Sequence, residues 1–180
     1  MRWRHPFRSF FITVCALLVP LAAAATTIVP ADFADMVSGS QTIVHGRVVD
    51  VRAQATSGRK SIESIVTIAV LDAIKGPASA RVVFRVPGGQ IGRYRRTMVG
   101  APEFAEGDEV VLFLSGRTPA LPTPFGLSQG VYRVSRSAAQ ALVTPLLTER
   151  AGRVVRGDPA RRPLTMDAFA RRVRAEMERP

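Results

Sequence analysis

The sequence predicts a mainly β fold: a small Greek-key barrel with a short N-terminal helix before the strands and an amphipathic helix at the C-terminus. Three observations lead to this prediction. Runs rich in valine and isoleucine recur along the chain, and β-branched residues are typical of strands. Turns that contain glycine and proline separate these runs. After the first 25 residues, only two segments show the 3.6-residue periodicity of an amphipathic helix, one before the strands and one after them.

The segment 1–25 has the pattern of a cleavable signal peptide. Arg2, Arg4 and Arg8 precede an uncharged apolar run that ends in four consecutive alanines. A charged start, an apolar segment and an A-x-A site in this order direct export and cleavage, so we expect a mature chain that begins near Thr26. The alternative is an uncleaved membrane anchor, but the apolar run is shorter than the roughly 20 residues that span a bilayer.

The mature chain is expected to fold without disulfide bonds. The only cysteine, Cys15, lies in the signal segment, so a hydrophobic core alone must hold the exported chain together. A domain of about 155 residues can do so, because it buries roughly two-thirds of the surface that its unfolded chain exposes. We predict an OB-like β-barrel domain at 26–135 and a basic extension that ends in a helix at 136–180.

Positive charge is concentrated in that extension. The chain has 25 basic and 14 acidic residues, and removal of the three signal arginines leaves 22 basic residues and a net charge of +8. Residues 136–180 hold ten of these basic residues and five acidic ones. Arginine suits bidentate contacts to phosphate or carboxylate, although a GC-rich genome produces the same composition. Export makes nucleic acid an unexpected partner.

The mature chain begins with a helix, followed by strands. The segment 30–37 places Phe33, Met36 and Val37 on one helical face, with proline and aspartate in the first turn. The segment 65–74 is apolar for longer than one strand face requires, which favours a strand buried on both sides. We also predict strands at 43–51, 80–86, 109–114 and 125–134, a long loop at 90–102 with room for a short irregular strand, and an edge strand at 141–147.

A clean helical pattern begins near Leu164. Met166, Phe169 and Val173 repeat at helical spacing behind Thr165, a suitable N-terminal cap. We expect this helix to pack on the barrel with its basic face in solvent. A helix that lies on a membrane surface is the alternative.

The strand layout resembles the netrin-like modules, which include the tissue inhibitors of metalloproteinases. The matching stretches are 43–48 (IVHGRV), 66–76 (VTIAVLDAIKG) and Phe104 with 107–114 (GDEVVLFL). The same arrangement of strands and glycine-containing turns resembles that of uncharacterised exported bacterial proteins. The resemblance covers roughly residues 28–135. It implies an OB-like Greek-key barrel that binds proteins, including proteases. The inhibitors chelate zinc through an N-terminal cysteine, which this mature chain lacks, so the resemblance carries over the fold only.

The sequence of the mature chain contains no group of residues of the kind that catalysis, metal binding or cofactor binding requires. His45 is its only histidine, so the common zinc sites cannot be assembled, and we expect it to be packed within a strand. The stretch 126–130 (GLSQG) matches a G-x-S-x-G nucleophile elbow, but it precedes a strand and no histidine follows it. The stretch 88–92 (GGQIG) lacks the features of a phosphate loop. We predict no enzyme activity, no catalytic residue, no metal site and no cofactor.

Four carboxylates gather around one predicted turn, where oxygen ligands for calcium would have to come from a single loop. Their spacing matches no EF-hand, and an apolar Phe104 interrupts them. We expect a solvated turn instead. The four are Glu103, Glu106, Asp108 and Glu109.

The candidate binding residues are Arg93, Tyr94, Arg95 and Arg96, which form a basic stretch with one aromatic in a predicted exposed loop. We predict a periplasmic or secreted module that binds an extracytoplasmic protein through the loops at one end of the barrel. No nucleic acid and no stable membrane insertion after signal cleavage are expected. The alternative, implied by the resemblance, is an inhibitor or accessory partner of an exported protease such as a metalloprotease.

Overall fold

The computed structural model describes residues 31–56, 61–77, 79–116, 119–137, 140–146 and 162–179. The predicted signal segment at 1–25 and the start of the mature chain lie outside these residues. Ten strands and two α-helices form within the described ranges. They are α1 Phe33–Gly39, β1 Thr42–Ala55, β2 Ile62–Lys75, β3 Arg81–Pro87, β4 Gly89–Ile91, β5 Tyr94–Arg96, β6 Glu109–Ser115, β7 Thr123–Pro124, β8 Val131–Arg136, β9 Ala141–Pro145, β10 Leu164–Thr165 and α2 Met166–Met177.

The predicted mainly β fold with a short first helix and a C-terminal helix is confirmed. One antiparallel sheet has the strand order β10-β9-β8-β6-β1-β2-β3. Strand β7 also pairs with β6, next to the residues of β6 that pair with β8. Within it, β6-β1-β2-β3 is the spatial order of a Greek key, because β6 returns after a long connection to lie beside β1. Strands β4 and β5 form a separate two-stranded hairpin.

The sheet curls toward the predicted barrel but does not close. Its β3 edge meets the chain just before β7, where the Arg85 amide donates to the Pro122 carbonyl at 3.0 Å. Pro122 and Pro124 have no amide hydrogen to donate. A continuous ladder therefore cannot form between β3 and this segment.

Two hydrophobic clusters lie on opposite faces of the central strands. Side chains alternate across a strand, so Ile43 and Phe113 belong to one cluster while Val44 and Leu112 belong to the other. The central β6 strand is buried on both faces. The β2 segment, predicted to be buried on both sides, buries one face over most of its length and exposes Leu71.

Helix α2 covers the first cluster. Its Phe169 ring lies 5.8 Å from Phe33 of α1 and 4.9 Å from Tyr132 of β8, measured between ring centroids. The predicted cap is present, since Thr165 Oγ1 accepts from the Ala168 amide at 3.3 Å. Strands β9 and β10 extend the sheet beyond β8, so the segments after residue 135 that the structure describes pack with the strands before it. None of the helices described is both long and apolar enough to cross a membrane.

The segment 125–130 differs from its predicted strand. Leu127–Gly130 is a 3₁₀ turn, entered through Gly126 at a φ of 54°. A Cβ on Gly130 would lie 2.7 Å from the Phe125 carbonyl oxygen, so only glycine fits where the turn folds back. The elbow-like pentapeptide is therefore a compact turn that leads into β8.

Candidate functional site

The residues predicted to bind a partner lie on the β4–β5 hairpin. The sequence indicated a loop at 90–102, but Gly89 pairs with Arg96 and Ile91 with Tyr94 in an antiparallel ladder. The hairpin is set apart from the main sheet. It therefore projects its side chains from a regular backbone instead of an irregular loop.

Close backbone contacts fix the base of the hairpin. The Gly88 amide donates to the Ile62 carbonyl at 3.0 Å, and the Ser64 hydroxyl donates to the Gly88 carbonyl at 2.9 Å. Gly89 has a φ of +138°, and a Cβ there would lie 2.6 Å from Ser64 Oγ. Glycine is needed at this position both for the backbone conformation and for the approach to β2.

All four predicted residues are exposed on this hairpin. Arg93 donates to the Tyr94 hydroxyl at 2.9 Å, and its guanidinium lies 5.1 Å from the centre of the Tyr94 ring. Arg95 forms an ion pair with Glu103 at 2.8 Å. Arg96 has no hydrogen-bond or ion-pair partner within the described part of the chain. The structure thus brings the four residues together on one basic surface with an aromatic in it.

A pocket of about 370 Å³ lies between the hairpin and the sheet. Val51, Val66 and Val86, one from each of β1, β2 and β3, contribute apolar side chains to its lining, and Arg96 and Glu103 contribute charged ones. We call this the hairpin pocket. Its apolar lining continues into the second hydrophobic cluster, to which Val66 and Val86 belong. The remaining lining residues include Ala53, Ser64, Arg95, Thr97, Met98 and Phe104.

The segment that follows β5 forms one wall of the hairpin pocket and is anchored to the body of the protein. Phe104 packs edge-on against Phe84, with 5.3 Å between the ring centroids. The Ser128 amide donates to the Gly100 carbonyl at 3.0 Å. These contacts hold the wall in place without a ligand. Neither Met98 nor Phe104 was assigned to a binding site from the sequence. A methionine within a polar, basic stretch is a signal that could have drawn attention to the segment.

A second polar cluster surrounds Glu109, whose side chain is only 8% exposed. Arg136 donates to both of its carboxylate oxygens, at 2.6 and 2.9 Å, and His45 Nε2 lies 2.8 Å from Oε1. An ionised carboxylate only accepts, so His45 Nε2 carries the hydrogen. Arg47 adds a longer contact of 3.3 Å.

The pKa of Glu109 is lowered from 4.5 to about 2, chiefly by the hydrogen bond from Arg136, with a smaller contribution from His45. The same bond raises the pKa of Arg136. Glu109 therefore stays ionised at all but strongly acidic pH. The predicted solvated turn holds for the exposed Glu103 and Glu106. It is wrong for Glu109, which begins β6, pairs with Arg47 of β1 and forms an ion pair with Arg136 of β8.

This polar cluster joins strands and does not form a nucleophile with a base. The His45 side chain is hydrogen-bonded to Glu109. No hydrogen bond joins it to Ser128, which is buried in the 3₁₀ turn. Among the residues that the structure describes, no three histidine, cysteine or acidic side chains are grouped so as to hold a metal ion. The hairpin pocket and its basic rim are the surface best formed for recognition.

The chain matches no protein-family model, no curated protein and no solved structure.

Proposed function

We propose that this protein is an exported, non-enzymatic module that binds a protein partner through the hairpin surface, defined as the exposed side of 93–99 together with the rim of the hairpin pocket. The observation that carries the proposal is the exposure of large apolar side chains beside the arginines, on this hairpin and in the turn that follows it. Tyr94 is 63% exposed and Val99 75%. Tyrosine and arginine are the residue types that most often dominate the binding energy of protein interfaces.

The hairpin surface is also prepared for binding. Its base is fixed to β2 by the backbone of Gly88, and the far wall of the pocket is fixed by Phe104. A surface that is ordered before binding loses less conformational entropy when the complex forms. This favours recognition by a rigid surface over folding upon binding.

A netrin-like origin of the fold, which we also propose, would support a protein partner. The stretches that carry the resemblance form the adjacent strands β1, β2 and β6, and their Greek-key order is the one that the resemblance implies. We propose this relationship as the origin of the fold. This relationship makes an exported protease one of the partners to be assayed.

Export is part of the proposal and has its own test. The mature chain should begin near Thr26, which N-terminal sequencing of the protein recovered from the extracytoplasmic fraction can determine. An intact N-terminus on that protein would contradict cleavage and favour the membrane-anchor alternative.

The binding function is tested by affinity capture with mature chain 26–180 from the exported proteins of its own organism. We expect a specific protein to be retained, and we expect its retention to be lost when Arg93, Arg95 and Arg96 are replaced together by alanine. The matched control replaces Arg81, Arg171 and Arg174, which are also exposed, and should retain the partner. Equal retention by both triple variants would remove the hairpin surface from the proposal.

If the retained protein is a protease, an activity assay separates two roles. Loss of protease activity at stoichiometric concentrations of the module would identify an inhibitor. Full activity in the complex would identify an accessory partner.

A further inference from the structure

We propose that the hairpin pocket receives one apolar side chain from an extended, acidic segment of the protein partner. This inference rests on the proposed function and adds the chemistry of the partner. It combines three features of the pocket: apolar side chains within its lining, an excess of positive charge at the rim and a hairpin with unpaired edges.

The interior suits an apolar anchor. Val51, Met98 and Phe104 contribute partly exposed apolar side chains to the lining. Val66 and Val86, which also line the pocket, are buried. The volume of about 370 Å³ lies at the lower end of the range found for ligand sites and is ample for one aromatic or long aliphatic side chain. Burial of one such side chain can change affinity by about tenfold or more, so one anchor can contribute substantially to a complex.

The rim suits a negative charge. The lining holds two arginines, Arg95 and Arg96, and a single carboxylate, Glu103, which pairs with Arg95. Arg96 lines the pocket and has no partner among the described residues. An aspartate or glutamate beside the anchor would pair with Arg96 as the anchor enters. Charge complementarity therefore selects an acidic segment over a neutral one.

The backbone of the hairpin favours a peptide over a lipid chain. Strands β4 and β5 pair only with each other in the described chain, so the outer edge of the hairpin offers backbone groups to a further strand. An extended peptide can add to such an edge while alternate side chains enter a pocket. An acyl chain would leave these edge groups unused.

The test selects peptides from a random library displayed on phage, with mature chain 26–180 as the target. We expect the enriched peptides to share an aspartate or glutamate next to phenylalanine, leucine, isoleucine or methionine. A synthetic peptide of the enriched sequence should bind about tenfold less tightly to Arg96→Glu, a change that corresponds to about 1.4 kcal/mol. The control Arg81→Glu reverses a charge on β3 outside the pocket lining and should bind as the unmodified chain does.

A second pair of variants tests the pocket itself. Ala53→Phe places a ring at a lining position and should also reduce peptide affinity about tenfold or more, because the ring would occupy the space that the anchor needs. Ala55→Phe adds the same ring to the same strand at an exposed position outside the lining and should leave affinity unchanged. Because Arg96→Glu alters only an exposed side chain, the proposal stays testable even if Ala53→Phe fails to fold.

Three results would overturn the inference. They are enrichment of peptides without acidic residues or without an apolar anchor, peptide affinity unaffected by both pocket variants, and saturable binding of dodecanoate when no peptide is enriched. Capture of the native partner separates this inference from the proposed function. A partner that is retained by Ala53→Phe and Arg96→Glu but lost with the triple arginine variant would leave the hairpin surface in place and refute the pocket anchor.

Discussion

At the scale of single residues, Glu109 is the most strongly held charge in the described chain. Its carboxylate joins three neighbouring strands, because His45 belongs to β1, Glu109 to β6 and Arg136 to β8. His45 and Glu109 are both nearly buried, while Arg136 covers them from the solvent side. The cluster therefore connects the strands at one end of the sheet through side chains as well as through the backbone ladder.

This cluster predicts a specific dependence of stability on pH. The pKa of Glu109 is about 2 in the folded protein and ordinarily 4.5, so its stabilising contribution is complete above 4.5 and is lost as the pH falls toward 2. Glu109→Gln should lower the free energy of unfolding at pH 7 by roughly 2–3 kcal/mol. Urea denaturation at several pH values should show the difference from the unmodified chain shrinking below pH 4.5.

The matched control is Glu106→Gln, which removes an exposed carboxylate from the turn just before β6. It should change stability by less than about 0.5 kcal/mol at any pH. If Glu109→Gln lost the same amount of stability at every pH from 7 to 2, the prediction would be wrong. The side chain would then stabilise the fold through its shape and not through its charge.

Gly89 provides a second test at the residue scale. Gly89→Ala should loosen the base of the hairpin, because alanine is strained at a φ of +138° and its Cβ would meet Ser64 Oγ at 2.6 Å. Gly92→Ala shares a positive φ, +55°, but meets nothing within 4 Å. We expect Gly89→Ala to destabilise the protein by about 1 kcal/mol more than Gly92→Ala. Hydrogen exchange of the hairpin amides would locate the effect, and equal exchange in both variants would speak against the close approach.

At the scale of elements, the two helices act together on one side of the sheet. Phe33 of α1 and Phe169 of α2 contact each other, and both contact Phe113 of β6. Val173 continues the buried face of α2. The C-terminal helix is therefore a structural part of the core and not an accessory with an independent role.

Truncation of one ring should reveal this role. Phe169→Ala should destabilise the protein by about 3–5 kcal/mol, the usual cost of removing a buried phenylalanine side chain. Arg171→Ala, on the exposed face of the same helix, should change stability by less than about 0.5 kcal/mol. Chemical denaturation of both variants measures the difference, and a small effect of Phe169→Ala would mean that the sheet is stable without α2.

The elements also show what the sequence could predict. The strands with long β-branched runs and the periodic C-terminal helix were predictable because local pattern and final burial agree. The β4–β5 hairpin was not, because Gln90 and Arg95 carry no alternating apolar pattern and the ladder depends on the glycines at its base. The 3₁₀ turn at 127–130 was missed for a related reason: only the approach of Gly130 to Phe125 reveals it.

The candidate site was predictable only in part. The basic stretch 93–96 could be identified because its composition is unusual and its neighbours are polar. The hairpin pocket could not, since Val51, Val66 and Val86 come together from three strands. The pairing of His45 with Glu109 joins residues that are 64 positions apart, and no local signal specifies that register.

At the scale of the whole molecule, charge distribution has consequences for association. Most of the arginines on the hairpin surface and on α2 are exposed, so salt screens their attraction for an approaching partner. The Glu109 carboxylate is nearly buried, and its ion pairs are less affected. Salt should therefore change partner binding much more than stability.

This difference can be measured on an enriched acidic peptide or on the captured partner. Raising the salt concentration from about 0.05 M to about 0.5 M should slow association at least severalfold, because the Debye length falls well below 10 Å. The dissociation rate should change less. The variant without Arg93, Arg95 and Arg96 should show a flatter dependence on salt, and an unchanged dependence would place the steering charges elsewhere, for example on α2.

The contact between α1 and α2 also governs when the chain can fold. Phe33 precedes every strand of the sheet and Phe169 follows every strand, so the first hydrophobic cluster is incomplete until the final helix has been synthesised. A chain that emerges gradually, from a ribosome or through a membrane pore, would have its sheet uncovered on one face until α2 arrives. Vectorial folding of this protein should therefore end in a late step in which α2 packs against α1.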